Sequence, residues 1–265
     1  MSTAGQWGDL RARAISGVAM LAVGAAAIWA GGLWFAVLAI AVTGLMIWEV
    51  ARMTAPDRAA EARALGALGA GVLAAVLALH SPFALVLLPL PGLVAALRPR
   101  RDRAVVLGYA FAVMLTGYGL VALREGLGVA AILWLVAVVV VSDVAGYFAG
   151  RTFGGPKFWP KVSPKKTWSG TVAGWLAAAV LGAGFAAAGL AGWGIVALSA
   201  AVAFAGQMGD IAESAIKRRN GVKDSSGLIP GHGGVLDRFD ALTGAVVAVL
   251  VLGFFGSVPL PGGGF

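Results

Sequence analysis

The chain has no cysteine, so disulfides and thiolate metal sites are excluded. It has only two histidines, His80 and His232, which leaves little from which to build a zinc centre. Charge is scarce: Asp, Glu, Lys and Arg make up 12% of 265 residues, against roughly 25% in a soluble globular domain. There is no internal repeat and no low-complexity segment beyond an Ala/Gly bias. The period-two alternation of a membrane β-barrel is missing, and so is the GxxxxGK[ST] loop of P-loop nucleotide-binding proteins. The first apolar run follows Arg11 and Arg13 as in a signal peptide. No A-x-A cleavage site follows it and another apolar run begins at once, so it reads as a retained first span.

What remains is apolar. Hydrophobic residues make up 60% of the chain and the mean hydropathy is +0.90. They come in blocks of about 16 to 23 residues, close to the ~20 that cross a bilayer as helix. The expected fold is all-α, a polytopic transmembrane helical bundle formed as one integral-membrane domain over 1–265. About nine spans are expected, near 15–31, 33–50, 64–80, 82–97, 104–122, 128–150, 171–189, 192–213 and 239–258. With the N-terminus in the cytoplasm, 19 of the 20 basic residues fall in cytoplasmic segments and only Arg124 lies outside, as the positive-inside rule requires. The net charge of +8 therefore reports topology and attraction to anionic lipid rather than binding of nucleic acid. The basic loop from Arg98 to Arg103 reads either way, as a topology determinant or as a lipid attractor. Trp29, Trp34, Trp48 and Trp134 are expected to anchor at the interface or pack. His80 is expected to cap or pack, and the tail PLPGGGF to be disordered.

Polarity is concentrated in residues 206–240, GQMGDIAESAIKRRNGVKDSSGLIPGHGGVLDRFD, which hold five of the twelve acids and five of the twenty basic residues. Polar groups kept at a membrane are costly and usually functional. Asp210, Glu213 and Lys217 are spaced i, i+3, i+7 and share one helical face. Two carboxylates one turn apart beside a lysine suit a divalent metal and a phosphate. Asp237 and Asp240 repeat the i, i+3 spacing at the start of the last span, where acids also suit the helix dipole. Both readings stand for that pair. Carboxylate oxygens favour Mg2+, which keeps waters and substrate phosphates in its shell. The glycines of IPGHGG permit a tight turn and let backbone N–H groups approach phosphate oxygens; His232 within it suits phosphate donation or proton transfer. Lys223 and Arg238 could neutralise phosphate charge. Asp143, alone in an apolar span, should face a polar cavity. The loop KFWPKVSPKKTWSG places Ser163, Thr167 and Ser169 among four lysines, the chemistry of a phosphate cradle or of a solvated basic loop.

Together these residues resemble the phosphatidate cytidylyltransferase (CDP-diacylglycerol synthase) family. Its signature S-x-x-K-R-x4-K-D is matched by Ser214, Lys217, Arg218, Lys223 and Asp224. The following P-G-H-G-G-x-x-D-R-x-D is matched by Pro230, Gly231, His232, Gly233, Gly234, Asp237, Arg238 and Asp240. SDVAGYFAGR around Asp143, SPKKT from Ser163 to Thr167 and the N-terminal RARAISG agree. Ser169 and Val144 depart from common family residues, which leaves the donor set around the nucleotide open.

The resemblance implies transfer of the cytidylyl group of CTP to phosphatidate, with Mg2+ alone or beside a monovalent cation such as K+. It also implies a homodimer and a cytoplasmic active site in the inner (plasma) membrane. On it, Asp210 and Asp237 are expected to hold Mg2+ with Asp143 completing the site, and Glu213 and Asp240 to support those ligands from behind or to serve as alternate ligands. Lys217, Arg218, Lys223, His232 and Arg238 are expected to bind phosphates. Ser163, Lys165, Lys166 and Thr167 would close on the nucleotide or lipid head group, with Ser214, Asp224, Gly233 and Gly234 as further substrate contacts. Two rivals stand beside this reading: a CTP-dependent lipid kinase of the dolichol-kinase type, and a transporter using Asp143, Asp210 and Asp237 as a cation path. A CDP-alcohol phosphatidyltransferase would need D-G-x-x-A-R, which is absent.

Overall fold

A computed structural model of the chain describes residues 3–263. It divides into two compact units, Met1–Tyr118 with Arg219–Phe239, and Gly119–Arg218 with Asp240–Phe265. In the first unit α1 (Thr3–Ala30), α2 (Gly32–Thr54) and α3 (Ala59–Leu79) follow one another, then a 3-10 segment (Pro82–Leu87), α4 (Leu90–Leu97) and the start of α5 (Arg103–Leu127). Gly44 and Gly66 let α2 and α3 approach closely: a methyl on Gly66 would lie 2.8 Å from both the Gly44 carbonyl oxygen and Trp48 Cβ. Met46, Leu73, Val113 and Met114 fill the core between these helices.

Arg100 closes the loop end of this unit. Its side chain is almost wholly buried and pairs with Glu61. It also donates to Thr54 Oγ1 (3.1 Å) and to the carbonyls of Ala95 (2.8 Å) and Ala51 (3.3 Å). Burial pulls the guanidinium below its ordinary value and Glu61 opposes that shift. Of the four arginines between 98 and 103, this one is structural.

The second unit holds the remainder of α5, then α6 (Val129–Phe153), a small antiparallel hairpin of β1 (Lys157–Trp159) and β2 (Ser163–Thr167), and α7 (Trp168–Ala187). Most of α8 (Ile195–Arg219) and of α9 (Leu236–Phe255) completes it. Thr167 caps α7 by accepting from Gly170 N–H at 3.2 Å. Buried polar groups here are paired. Trp134 Nε1 donates to Ser199 Oγ (2.9 Å), Trp175 Nε1 donates to Gln207 Oε1 (2.9 Å), and Gln207 Nε2 donates to the Thr171 carbonyl (3.3 Å). Helices α8 and α9 touch through glycines. A methyl on Gly244 would overlap the Ala205 carbonyl oxygen, and one on Gly206 would sit 3.1 Å from the Ala241 carbonyl oxygen.

Eight helices among the described residues are long and apolar enough to span a bilayer, so the chain is a polytopic helical membrane protein. The expected span at 82–97 is instead a 3-10 segment followed by an eight-residue helix. Pro82, Pro89 and Pro91 lack the N–H groups a continuous helix needs there. The tail from Pro259 also differs from expectation as far as residue 263: Leu260 is buried and Pro259 packs near Gly194. The leucine side chain has a core to enter. Phe265 and the residue before it lie outside the described residues, as do the side chains of residues 1–12. His80 caps α3 in the left-handed conformation (φ 47°) with Nδ1 2.8 Å from the Ala78 carbonyl oxygen. Trp134 is fully buried, whereas Trp29 and Trp34 project from the protein surface, where lipid would meet them.

Gly244→Ala is expected to destabilise the protein by about 1–3 kcal/mol through overpacking. Gly184→Ala, in α7 with nothing within 4 Å of the new methyl, should be neutral or stabilising by up to about 1 kcal/mol. Thermal unfolding of both variants in detergent checks the contrast.

Candidate active site

The helical spacing of Asp210, Glu213 and Lys217 places them on one face of α8, and α9 adds Asp240. One oxygen from each of the three acids lies within 4.8 Å of the others. Two lysines flank this group. Lys166 Nζ, from β2, stands 2.5 Å from Asp210 Oδ2, and Lys217 Nζ stands 2.5 Å from Glu213 Oε2. Glu213 is wholly buried and Lys217 nearly so. Ser214 Oγ donates weakly to Asp210 Oδ1 (3.4 Å), and the Ala241 N–H donates to Asp240 Oδ1 (2.7 Å). Asp143 on α6 lies within electrostatic reach of Lys166, Asp210 and Asp240. Four acids thus meet two lysines. The surplus negative charge and the all-oxygen donor set fit a hard divalent cation such as Mg2+.

The approach of α8 and α9 is what makes this grouping possible. A methyl on Gly209 would collide with the Asp240 carbonyl oxygen and lie 2.8 Å from the Gly244 nitrogen. Glycine at 209, next to Asp210, brings the two carboxylate-bearing turns together.

The PGHGG turn belongs to the first unit, and its backbone is organised by two acids. Asp237 Oδ2 accepts from the N–H groups of Gly234 (2.7 Å) and Ser225 (2.9 Å) and from Ser225 Oγ (2.9 Å). Glu49, at the end of α2 and wholly buried, accepts from the N–H groups of Val235 (2.9 Å) and Leu236 (2.6 Å). The hydroxyls of Ser225 (3.2 Å) and Ser226 (2.5 Å) donate to it as well. The amides that lead into α9 therefore point at the protein's own carboxylates. Gly231 (φ 75°) and Gly233 (φ 84°) supply the left-handed backbone of the turn, which the Ile229 N–H closes by donating to the Gly233 carbonyl (2.8 Å). His232 Nδ1 lies 2.9 Å from Ser16 Oγ on α1.

The structure brings together Asp143, Lys166, Asp210, Glu213, Ser214, Lys217 and Asp240. Asp237, Gly234 and Gly233 gather around Glu49 and Ser225 instead. Thr167 is buried as a helix cap, Ser163 is half-buried, and Lys165, Arg218, Lys223, Asp224 and Arg238 are exposed. Sequence reasoning passed over Glu49, Ser225, Ser226 and Ser16. Glu49 had a signal, an acid closing an otherwise apolar run, the same argument that singled out Asp143.

A model of the cytidylyltransferase family matches residues 11–255. The phosphatidate cytidylyltransferase of Brucella suis biovar 1 is 47% identical over 138 residues, 51% of this chain and 49% of that protein. That of Haemophilus influenzae is 46% identical over 126 residues, 45% and 44% of the two chains. That of Helicobacter pylori strain J99 is 40% identical over 140 residues, 52% of each. The chain spans about half the length of the curated relatives it matches.

Replacing Glu49 with Ala should leave both the Val235 and Leu236 amides without their acceptor, whereas Gln keeps one oxygen and sets its NH2 against the other amide. Losing such buried bonds costs about 1–3 kcal/mol. Hydrogen exchange at these two amides should therefore accelerate roughly ten- to a hundredfold, read by exchange mass spectrometry over residues 225–240.

Proposed function

Since the chain belongs to the cytidylyltransferase family, we propose that it transfers the cytidylyl group of CTP to phosphatidate, giving CDP-diacylglycerol and pyrophosphate. The observation that carries this reading is the group of Asp210, Glu213 and Asp240 held between Lys166 and Lys217 in a chain of membrane-spanning helices. Acids and ammonium groups together suit a reaction between two polyanions, one of them a lipid. The names of the relatives point to the substrates.

In the reaction a phosphate oxygen of phosphatidate bonds to the α-phosphorus of CTP while the bond from that phosphorus to the bridging oxygen breaks. Pyrophosphate leaves with the electron pair. Phosphatidate is already anionic, so no strong general base is required. Asp210, Glu213 and Asp240 would hold Mg2+, with Asp143 near them; bound there, the ion would screen phosphate charge. A monovalent cation such as K+ beside it belongs to the same proposal.

Lys166 and Lys217 neutralise the carboxylates when no substrate is present and can turn to phosphate oxygens when it arrives. Arg218, Lys223, His232 and Arg238 of the signature bind phosphates. Ser163, Lys165 and Thr167 lie in or beside the hairpin expected to close on nucleotide or head group. Asp237 was expected to ligate the metal. Its Oδ2 carries three donors, so its first role is to hold the signature turn. The active site is proposed to face the cytoplasm from the inner membrane, in a homodimer.

Protein in detergent–lipid micelles is given phosphatidate and α-32P CTP with and without Mg2+. Label should enter the lipid phase only with Mg2+. Asp210→Asn and Asp240→Asn should each lower turnover about a hundredfold or more, because each removes a ligand of the ion that would stabilise phosphoryl charge. Labelled CDP left in water would mean a kinase instead, and no turnover at all would sink the enzyme reading. Asp237→Asn with unchanged Mg2+ dependence would remove that residue from the metal shell.

A further inference from the structure

His232 sits in the left-handed turn of the signature, and α1 lies against it. A methyl on Gly231 would overlap the Arg13 side chain, and one on Gly17 would lie 3.5 Å from His232 Cε1 and 3.7 Å from Nε2. Ser16 is the polar contact in this packing. Its Oγ is 2.9 Å from His232 Nδ1, 2.9 Å from the Pro230 carbonyl oxygen and 3.1 Å from the Arg13 carbonyl oxygen.

A serine hydroxyl has one proton, and both carbonyls can only accept. If that proton went to Nδ1, the hydroxyl oxygen would face two carbonyl oxygens at hydrogen-bond distance with nothing between them. If it goes to Pro230 or Arg13, only one carbonyl is left facing the oxygen instead of two, and the contact with Nδ1 is then satisfied only by an N–H there. A neutral imidazole has a single N–H, so Nε2 then carries the lone pair.

We infer that Ser16 is a positioning residue that holds neutral His232 in its Nδ1–H form, so that Nε2 accepts a hydrogen bond from an O–H group of a bound substrate. This deepens the proposed cytidyl transfer and rests on it for the identity of the substrates. It changes the role expected of His232. In this form the neutral ring cannot donate through Nε2 to a fully ionised phosphate. It recognises an O–H: the P–OH of a singly ionised phosphate monoester, as on the lipid, or a ribose hydroxyl of the nucleotide. Gly17 keeps the approach to Nε2 open, since any side chain there begins with a methyl beside that atom.

The test reads the ring directly. Full-length protein in detergent, labelled with 15N-histidine and carrying His80→Asn so that one histidine remains, is examined by two-bond 1H–15N correlation at a pH where the ring is neutral. His232 should show Nδ1 as the protonated nitrogen. Ser16→Ala should shift the population towards Nε2–H, and Ser16→Thr, which restores the hydroxyl, should return it. An Nε2–H ring in the parent protein overturns the inference even if Ser16→Ala fails to fold, and so does a tautomer unmoved by Ser16→Ala.

Dihexanoyl phosphatidate and CTP are then added separately. The one that moves the Nε2 resonance supplies the O–H, and no movement with either overturns the substrate contact. Gly17→Ala, whose methyl makes only ordinary contact, should weaken that same response at least severalfold with the thermal midpoint unchanged; an unaltered response would remove Gly17 from the argument. The tautomer is read without turnover, so an Nδ1–H ring in a protein that does not consume CTP would sink the proposed function and leave the positioning role standing.

Discussion

A carboxylate removed from water must be surrounded by donors, and Glu49 shows what that demands of a fold. Its side chain has no exposed surface. An ionised carboxylate so placed loses several kcal/mol of hydration, and only well-formed hydrogen bonds offset the loss. Two backbone amides at the start of α9 and two serine hydroxyls provide them. The dependence runs both ways. The first N–H groups of a helix have no partner within it, and Glu49, rising from α2, satisfies that of Leu236, the first residue of α9, and that of Val235 just before it. Asp237 binds the adjacent Gly234 amide and shares Ser225 with Glu49. The signature turn is thus shaped by internal anions, and the backbone amides from 234 to 236 are committed to them. Those three amides are therefore not open to a phosphate group.

The acids of the second unit solve the burial problem differently. Asp210 and Glu213 take ammonium partners, Lys166 and Lys217. A lysine head group is a compact charge on a flexible stem and can change partners. Such a pair keeps the carboxylates partnered and leaves the ammonium groups able to turn to another anion. The surplus of acids over lysines leaves a place for a divalent ion in the same group.

Much of this was legible from residue order because its causes are local. Helical spacing alone places Asp210, Glu213 and Lys217 on one face, and the apolar blocks mark the spanning helices. Where local pattern failed, an interaction distant in sequence had decided. Asp237 and Asp240 share the i, i+3 spacing, yet one turns to Ser225 and Gly234 while the other joins Asp210. Nothing in the spacing says which neighbours await each. Glu49 lies more than 170 positions from its partners; its own signal, an acid at the end of an apolar run, names no partner. Between residues 82 and 97 hydropathy outvoted the prolines, although backbone geometry obeys the prolines. The glycine-rich tail suggested disorder, but Leu260 within it is apolar enough to be buried.

The position of the carboxylate group finally depends on residues without side chains. Mg2+ binds its ligands at about 2.0–2.1 Å in near-octahedral geometry, so two helices that share the ion must hold their carboxylates within a few ångströms of each other. Ordinary packing sets helix axes about 8–10 Å apart according to the side chains at the contact. At Gly209 and Gly244 the backbones of α8 and α9 meet with no room for even a methyl group. Asp210 follows the first of these glycines, and the Asp240 carbonyl oxygen lies against it. Glycine here costs helix stability, about 0.5–1 kcal/mol relative to alanine at each position, and in exchange fixes the separation of two acids on different helices. The Ala/Gly bias that looked like background composition is, at this contact, part of the site.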